Sequence, residues 1–409
     1  MTRDSYFDIL RGIAILLVIA IHTYPGGDFE TAEGFVNICL RECCNVAVPL
    51  FLAISGYFIG KKDLSTRGKY ISFLKKQIPR VYFPCILWSI PILVYGIYAG
   101  RSIISAAAIL FSCSAFAPYY FIALIIQLYI LTVFFKFLII SGLRLWGGSV
   151  LFMNTIAVIF LNYFIIGKFE MPFVFLVGPF FYWMSFYYLG LYISQNQDVI
   201  ICRKMILWAI MVLFTFQLLE CYHIGVGIKV TSWAWAFLII VVLFSNKLRE
   251  WFKNHENKFT PFAFLGKYSF GIYLSHVYVL IVLNKLPIET YWFVDWLFVT
   301  IATFLLVWLM GRILPKQYIK LFGINQNIFT MKKNELLIRL QEIFRDVFDN
   351  EDIVISNDTV AEDIEEWDSL AHIQLIKELE SVFGIKLTSK EILSWDNVGE
   401  MVDAIQAKR

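Results

Sequence analysis

The sequence predicts an all-α protein in two parts, a polytopic helical membrane bundle followed by a small acidic four-helix bundle. Three observations predict it. The chain of 409 residues is 59% hydrophobic and 18% aromatic with only 16% charged, where a soluble domain is nearer a quarter charged. Its mean hydropathy of +0.68 calls for many membrane spans rather than one anchor. Charge is also divided unevenly. Residues 331–409 hold 9 Lys and Arg against 18 Asp and Glu, a net of −9, which leaves 26 against 14, a net of +12, for the residues before them.

Apolar stretches recur near 8–25, 46–60, 81–99, 119–141, 149–167, 172–193, 205–223, 230–246, 262–284 and 291–314. That makes about ten helices, since ~20 residues cross a bilayer core. The second is short, and 102–116 is a weaker stretch that suits a re-entrant segment. Arg3, Asp4, Asp8 and Arg11 precede or open the first run and no small-residue cleavage site follows it, so it reads as a retained span and not as a signal peptide. Lys61, Lys62, Arg67, Lys69, Lys75, Lys76 and Arg80 crowd the loop after the second span, which assigns that loop to the cytoplasm. Counting outward puts Arg203 and Lys204 and the group Lys247, Arg249, Lys253 and Lys258 on the same side. Both termini are then cytoplasmic. The seven cysteines are scattered with no CxxC pair and read as buried apolar residues. No metal cluster, Walker loop, dinucleotide fingerprint or nucleic-acid-binding pattern stands out.

Arg312, Lys316 and Lys320 mark the inner interface after the last span. The membrane domain is therefore drawn as 1–320, a polar linker as 321–333, and the acidic domain as 334–409. Apolar residues fall at helical spacing over 334–349. Asp368-Ser369 caps a second helix, Leu370–Phe383. Lys390–Leu393 reads as a short helical turn and Asn397–Ala407 as a last helix.

Arg11 and His22 are three helical turns apart on nearly one face of the first span, about 16 Å along its axis, with Asp8 one turn before Arg11. Ionisable groups inside a span are costly and line a cavity or pair with one another; an interfacial Arg and a His bonded to a carbonyl are the plainer alternative. The run Asp8-Ile-Leu-Arg11-Gly12 through His22 resembles the opening signature of the acyltransferase-3 membrane family, whose hallmark is an Arg, ten residues, then a His. Further matches follow in the family's order: Val48-Pro-Leu-Phe through Ser55-Gly56-Tyr57, Lys76 and Arg80 before Val-Tyr-Phe-Pro84, Tyr119-Tyr120, and Gly266-Lys-Tyr268-Ser269 through Tyr273 and His276. The resemblance implies a multi-pass bacterial inner-membrane enzyme that esterifies surface glycans and related molecules. It makes His22 the catalytic histidine, a base or a transient acyl acceptor, with Arg11 positioning the donor. Arg80 and Lys76 suit the donor's phosphates, and Ser55 and Tyr57 suit its arm or carbonyl, though small-residue helix packing explains those two as well. Asp8, Tyr120, Ser269, Tyr273 and His276 are supporting residues.

Glu365-Glu366-Trp367-Asp368-Ser369-Leu370-Ala371-His372 resembles the acyl carrier protein family, the likeness covering about 334–407. By that match Ser369 carries 4′-phosphopantetheine, at a helix N-terminus where free N–H groups support a phosphate; a simple Asp-Ser helix cap is the alternative. A carrier on the same chain implies an acyl-carrier thioester as donor, instead of or besides acyl-CoA. The tether keeps it at high local concentration, and a basic inner face favours an acidic carrier. The expected reaction transfers an acetyl or other short acyl group to a hydroxyl of a cell-surface polysaccharide or lipid-linked glycan precursor. Its partners are the bilayer, that acceptor, a phosphopantetheinyl transferase and an acyl-loading enzyme. Two other classes stand beside it: a transporter or exporter regulated by the carrier, and a membrane anchor for a carrier. Ion-coupled transport needs mid-span carboxylates, whereas Asp8, Glu42, Glu220 and Asp295 lie near predicted span ends or loops.

Overall fold

The computed structural model describes residues 5–140, 144–165, 177–195, 203–227, 229–285, 291–314, 320–324, 327–383, 385–392 and 395–408, and every regular element among them is helical. The chain divides into two compact units, Met1–Ile324 and Asn325–Arg409.

The first unit contains α1 (Ser5–Thr23), α2 (Ala32–Cys43), α3 (Ala47–Gly60), α4 (Arg67–Tyr98), α5 (Ile103–Phe111), α6 (Tyr120–Ile140), α7 (Arg144–Phe160), α8 (Met184–Gln195), α9 (Arg203–Ile224), α10 (Val230–Leu243), α11 (Asn246–Asn254), α12 (Glu256–Leu283) and α13 (Trp292–Ile313). Short polar residues start several of them. Thr31 accepts the Gly34 N–H at 3.0 Å to open α2, and Ser102 accepts the Ser105 N–H at 3.2 Å to open α5, as N-caps do.

Among the described residues eight segments are long and apolar enough to cross a membrane, or nine if α10 and α11, bent by 59° at their junction, form one. Ten were expected. The shortfall lies at 172–193, which begins in residues outside the described set; its described helix, α8, has 12 residues. The second span also differs. It runs from Ala32 to Gly60, 29 residues, because a 3₁₀ turn over Cys44–Val46 joins α2 to α3.

Two glycine contacts set the core of the bundle. A Cβ on Gly12 of α1 would strike the Phe262 carbonyl of α12, and one on Gly266 would strike the Asp8 carbonyl. Gly56 of α3 and Gly190 of α8 meet the Tyr187 and Ala53 carbonyls in the same way. Backbones approach this closely only where side chains are absent, the usual means of tight helix packing in a bilayer. Contacts along α1 and α12 climb together: Gly12 meets Gly266, and ten residues on His22 meets His276. The two helices are therefore parallel and in register.

The second unit comprises α14 (Asn327–Phe348), α15 (Ser369–Phe383), α16 (Ser389–Ile392) and α17 (Val398–Lys408). Its first helix starts at Asn327, within the stretch expected to be a linker. Leu340, Phe344, Leu375, Leu379, Val398 and Val402 are fully buried in its core, as the helical apolar spacing of each segment requires.

Candidate active site

The helices of the first unit enclose a cavity of ≈ 520 Å³, within the size range of small-molecule sites. Arg11, His22, Ser55, Tyr120, Ser269 and Tyr273, six residues singled out from the sequence, line it together. They come from α1, α3, α6 and α12, so the shared wall is a product of the fold.

Arg11 and His22 occupy different depths, about 16 Å apart along α1 at 1.5 Å per residue. Arg11 Nη1 donates to Asp8 Oδ1 at 2.9 Å, and its guanidinium lies over the Phe58 ring at 5.0 Å. Asp8 is buried. Tyr129, which also lines the cavity, lies within electrostatic reach of both Arg11 and Arg80. Lys62 is in turn within reach of Arg80 and Lys76. Lys76 and Arg80 are exposed on α4 and are not lining residues, but they belong to the basic end that Arg11 enters. Tyr57 is buried outside the cavity, where its hydroxyl accepts from Arg249 Nη1 at 3.2 Å.

At the other end, His22 keeps accessible surface although it lies within the bundle, because its ring faces the cavity. Its ring centroid is 5.2 Å from that of His276. His276 is fully buried. Its Nδ1 is 2.6 Å from the Tyr273 carbonyl oxygen, so Nδ1 carries the proton and Nε2 presents a lone pair. Among the described residues that Nε2 has no hydrogen-bond partner. The strand of contacts holding α12 here is reciprocal: Tyr273 donates its hydroxyl to the Pro118 carbonyl, and Tyr119 donates to the Leu274 carbonyl at 2.6 Å. Ser269 Oγ donates to Gly266 O at 2.9 Å.

The sequence reading missed a charged cluster at this end. Arg41, Asn45 and Lys229 line the cavity, and Glu42 and Lys229 are fully buried and ion-paired at 2.8 Å. Gln217 Nε2 donates to Glu42 Oε2 at 2.6 Å, and Asn45 Nδ2 donates to the same oxygen at 2.9 Å. Glu42 was placed near a span end. It lies instead within the span Ala32–Gly60, because the 3₁₀ turn extends that span past the apolar run. The available signal was Arg41, Glu42 and Asn45 recurring at helical spacing before Val46.

In the second unit, α15 begins at Ser369. Asp368 provides its cap, Oδ1 accepting the N–H of Leu370 at 2.9 Å and of Ala371 at 2.7 Å. Two N–H groups expected to support a phosphate are thus held by a carboxylate. The first turn fits attachment of a phosphopantetheine arm at a surface: Leu370 and Ile373 beside Ser369 are exposed, 67% and 66%. His372 packs on Trp367, whose Nε1 donates to His372 Nδ1 at 2.9 Å.

Comparison with known proteins agrees with this two-part construction. A family model described as an acyltransferase domain matches residues 4–312, and one described as a phosphopantetheine attachment site matches residues 339–405. The chain belongs to the acyltransferase-3 family. Its long apolar helices lie along the part that matches the acyltransferase domain, and its second unit holds the part that matches the phosphopantetheine attachment site. An amino-acid racemase of Enterococcus faecalis is similar, 38% identical over 101 residues that make up 24% of this chain and 14% of that protein; the chain thus spans about a seventh of that relative's length. No solved structure matches the chain.

Proposed function

We propose that the membrane unit transfers a short acyl group from a cytoplasmic thioester, carried on Ser369 of its own second unit or on coenzyme A, to a hydroxyl of a surface polysaccharide or lipid-linked glycan precursor. The observation that carries this reading is one cavity bearing Arg11 at a basic end and an accessible His22 at the other. Both termini are cytoplasmic in this arrangement, in a bacterial inner membrane, with the basic end of the cavity facing the donor. When bound, the 4′-phosphopantetheine arm supplies an acyl thioester, a carbonyl open to attack by a hydroxyl.

Arg11, fixed by Asp8, binds the donor's phosphate, with Arg80 and Lys76 adding positive charge outside. His22 takes the proton of the acceptor hydroxyl as its oxygen bonds to the acyl carbon. It then returns a proton to the leaving sulfur as the carbon–sulfur bond breaks, ending as it began. Tyr120, Ser269 and Tyr273 shape the passage between the two ends. Ion-coupled export draws no support from Glu42, whose carboxylate is held by Lys229, Asn45 and Gln217.

The test joins mass and activity. Residues 331–409 are released by proteolysis from full-length protein and weighed beside a Ser369→Ala control. A phosphopantetheine increment lost in the control supports the carrier role, and further acyl mass identifies the donor. No increment from a host with a competent transferase returns the donor to acyl-CoA. His22→Ala lowers transfer at least about 10²-fold; transfer at the wild-type rate overturns the assignment.

A further inference from the structure

Arg41 is a cation that the proposed reaction leaves without a task. It lines the cavity at the end where His22 lies, and its charge reaches His22. Its neighbours account for themselves: Lys229 is paired with Glu42 at 2.8 Å, so Arg41, Glu42 and Lys229 together leave one positive charge. Among the described residues Arg41 forms no ion pair, and its guanidinium donates only to the neutral Asn45 Oδ1, at 2.8 Å. Asn45 is itself anchored, donating to Glu42 and to the Gly227 carbonyl at 3.3 Å. The guanidinium is thus held in place and left with unused N–H groups on a cavity wall.

A second observation shows room for a ligand beside it. Gly225 and Gly227 line the same end. Both have positive φ, 90° and 130°, and a Cβ built on either meets nothing within 4 Å. Left-handed glycines turn this segment back sharply and keep side chains out of the space it borders. A fixed Arg facing open space, with its planar fork free, is suited to a carboxylate or a phosphate ester. Leaving such a cation uncompensated within a bilayer is costly, and a bound anion removes that cost.

We propose that Arg41 is the specificity-determining residue for the acceptor, and that the acceptor is a hydroxyl compound bearing an anionic group, carboxylate or phosphate, seated on Arg41 with its hydroxyl toward His22. This rests on the proposed transfer to a hydroxyl at His22, but its test reads binding and not turnover.

Full-length protein in lipid nanodiscs is titrated with three ligands of one skeleton: glycerol, glycerate and glycerol 3-phosphate. At least one anion binds tenfold or more tightly than glycerol, and the better of the two names the anion class. Arg41→Gln abolishes that preference. Arg41→Lys, which keeps the charge without the fork, retains it in weaker form and guards against a misfolded Gln variant. Lys247→Gln, at an exposed position of α11 outside the cavity, leaves it unchanged. Equal binding of all three ligands, binding of none, a preference that survives Arg41→Gln, or one lost in Lys247→Gln overturns the proposal. His22→Ala separates the two ideas: intact anion preference with wild-type transfer counts against the catalytic reading alone.

Discussion

The imidazole rings of His22 and His276 stand 5.2 Å apart at 39°, on two helices that run parallel. The proton of His276 is committed to the Tyr273 carbonyl through Nδ1, so its unpartnered Nε2 can only accept. The nearest ring able to offer an N–H is that of His22. If His22 turns one nitrogen toward His276, its other nitrogen is left bare toward the cavity as a base, the role a carboxylate plays toward the histidine of a hydrolytic triad. His276→Gln is therefore expected to lower kcat about tenfold with KM unchanged, the value of one hydrogen bond of about 1.4 kcal/mol. A steady-state comparison with wild type checks this, together with a shifted pH–rate profile. An unchanged profile reduces His276 to packing.

The buried pair Glu42–Lys229 makes a prediction about stability. Lys229→Met strands a carboxylate among neutral donors, the side chains of Gln217 and Asn45 and the Gly227 N–H, and breaking such a pair costs about 3–5 kcal/mol. Glu42→Met does the same to the ammonium, whose other partners are the Gly225 and Gly227 carbonyls. The double variant is expected to recover most of the loss, measured as the thermal midpoint of the full chain in one detergent. A double variant as unstable as the singles disproves the pairing account.

Gly12 and Gly266 admit no side chain without moving a helix. Gly266→Val is expected to lower stability by about 1–3 kcal/mol, as overpacking does, and to cut activity more than its stability loss explains. The same helices carry His22 and His276. A crosslink between cysteines placed on α1 and α12, formed in wild type and lost with Gly266→Val, reports the separation directly.

For the second unit the prediction concerns pH. Burial against Trp367 pushes the His372 ring below its ordinary 6.5. The unfolded chain then takes up a proton below 6.5 that the folded unit refuses. Its contribution is fully present above pH 6.5 and is lost as pH falls from 6.5 toward the lowered value. Amide protection in α15 of the full chain, corrected for intrinsic exchange, is expected to fall between pH 7 and 5.5. His372→Gln flattens that dependence.

Much of this site was legible in the sequence because its residues lie on apolar helices, where any ionisable group is conspicuous. Arg11, His22, Ser55, Tyr120, Ser269 and Tyr273 were each flagged on one helix at a time, and the fold brought them to one wall. Arg41, Glu42 and Lys229 escaped because hydropathy ended the second span at residue 46. A 3₁₀ turn, which hydropathy does not register, continues it to Ala32 and draws both charges inward. Nothing local to Lys229 reveals that its partner, Glu42, comes from α2. Tyr57, in the same run as Ser55, points instead to Arg249, since two residues along a helix turn a side chain about 200°.

The glycine seam between α1 and α12 also constrains how the chain is threaded. Two membrane-crossing helices that run parallel must be separated by an odd number of crossings. Between them lie the span Ala32–Gly60, α4, α6, α7, α9 and the bent pair α10–α11, an even set. Parity therefore demands one more. Among the described residues α8 suits it, since α8 lies parallel to α3 along Gly56 and Gly190, the direction a seventh crossing at that point would take, whereas a crossing at α5 would set the two antiparallel. The helix too short to be counted by its length is required by the handedness of travel, as a road that enters two valleys heading north must have turned back south between them.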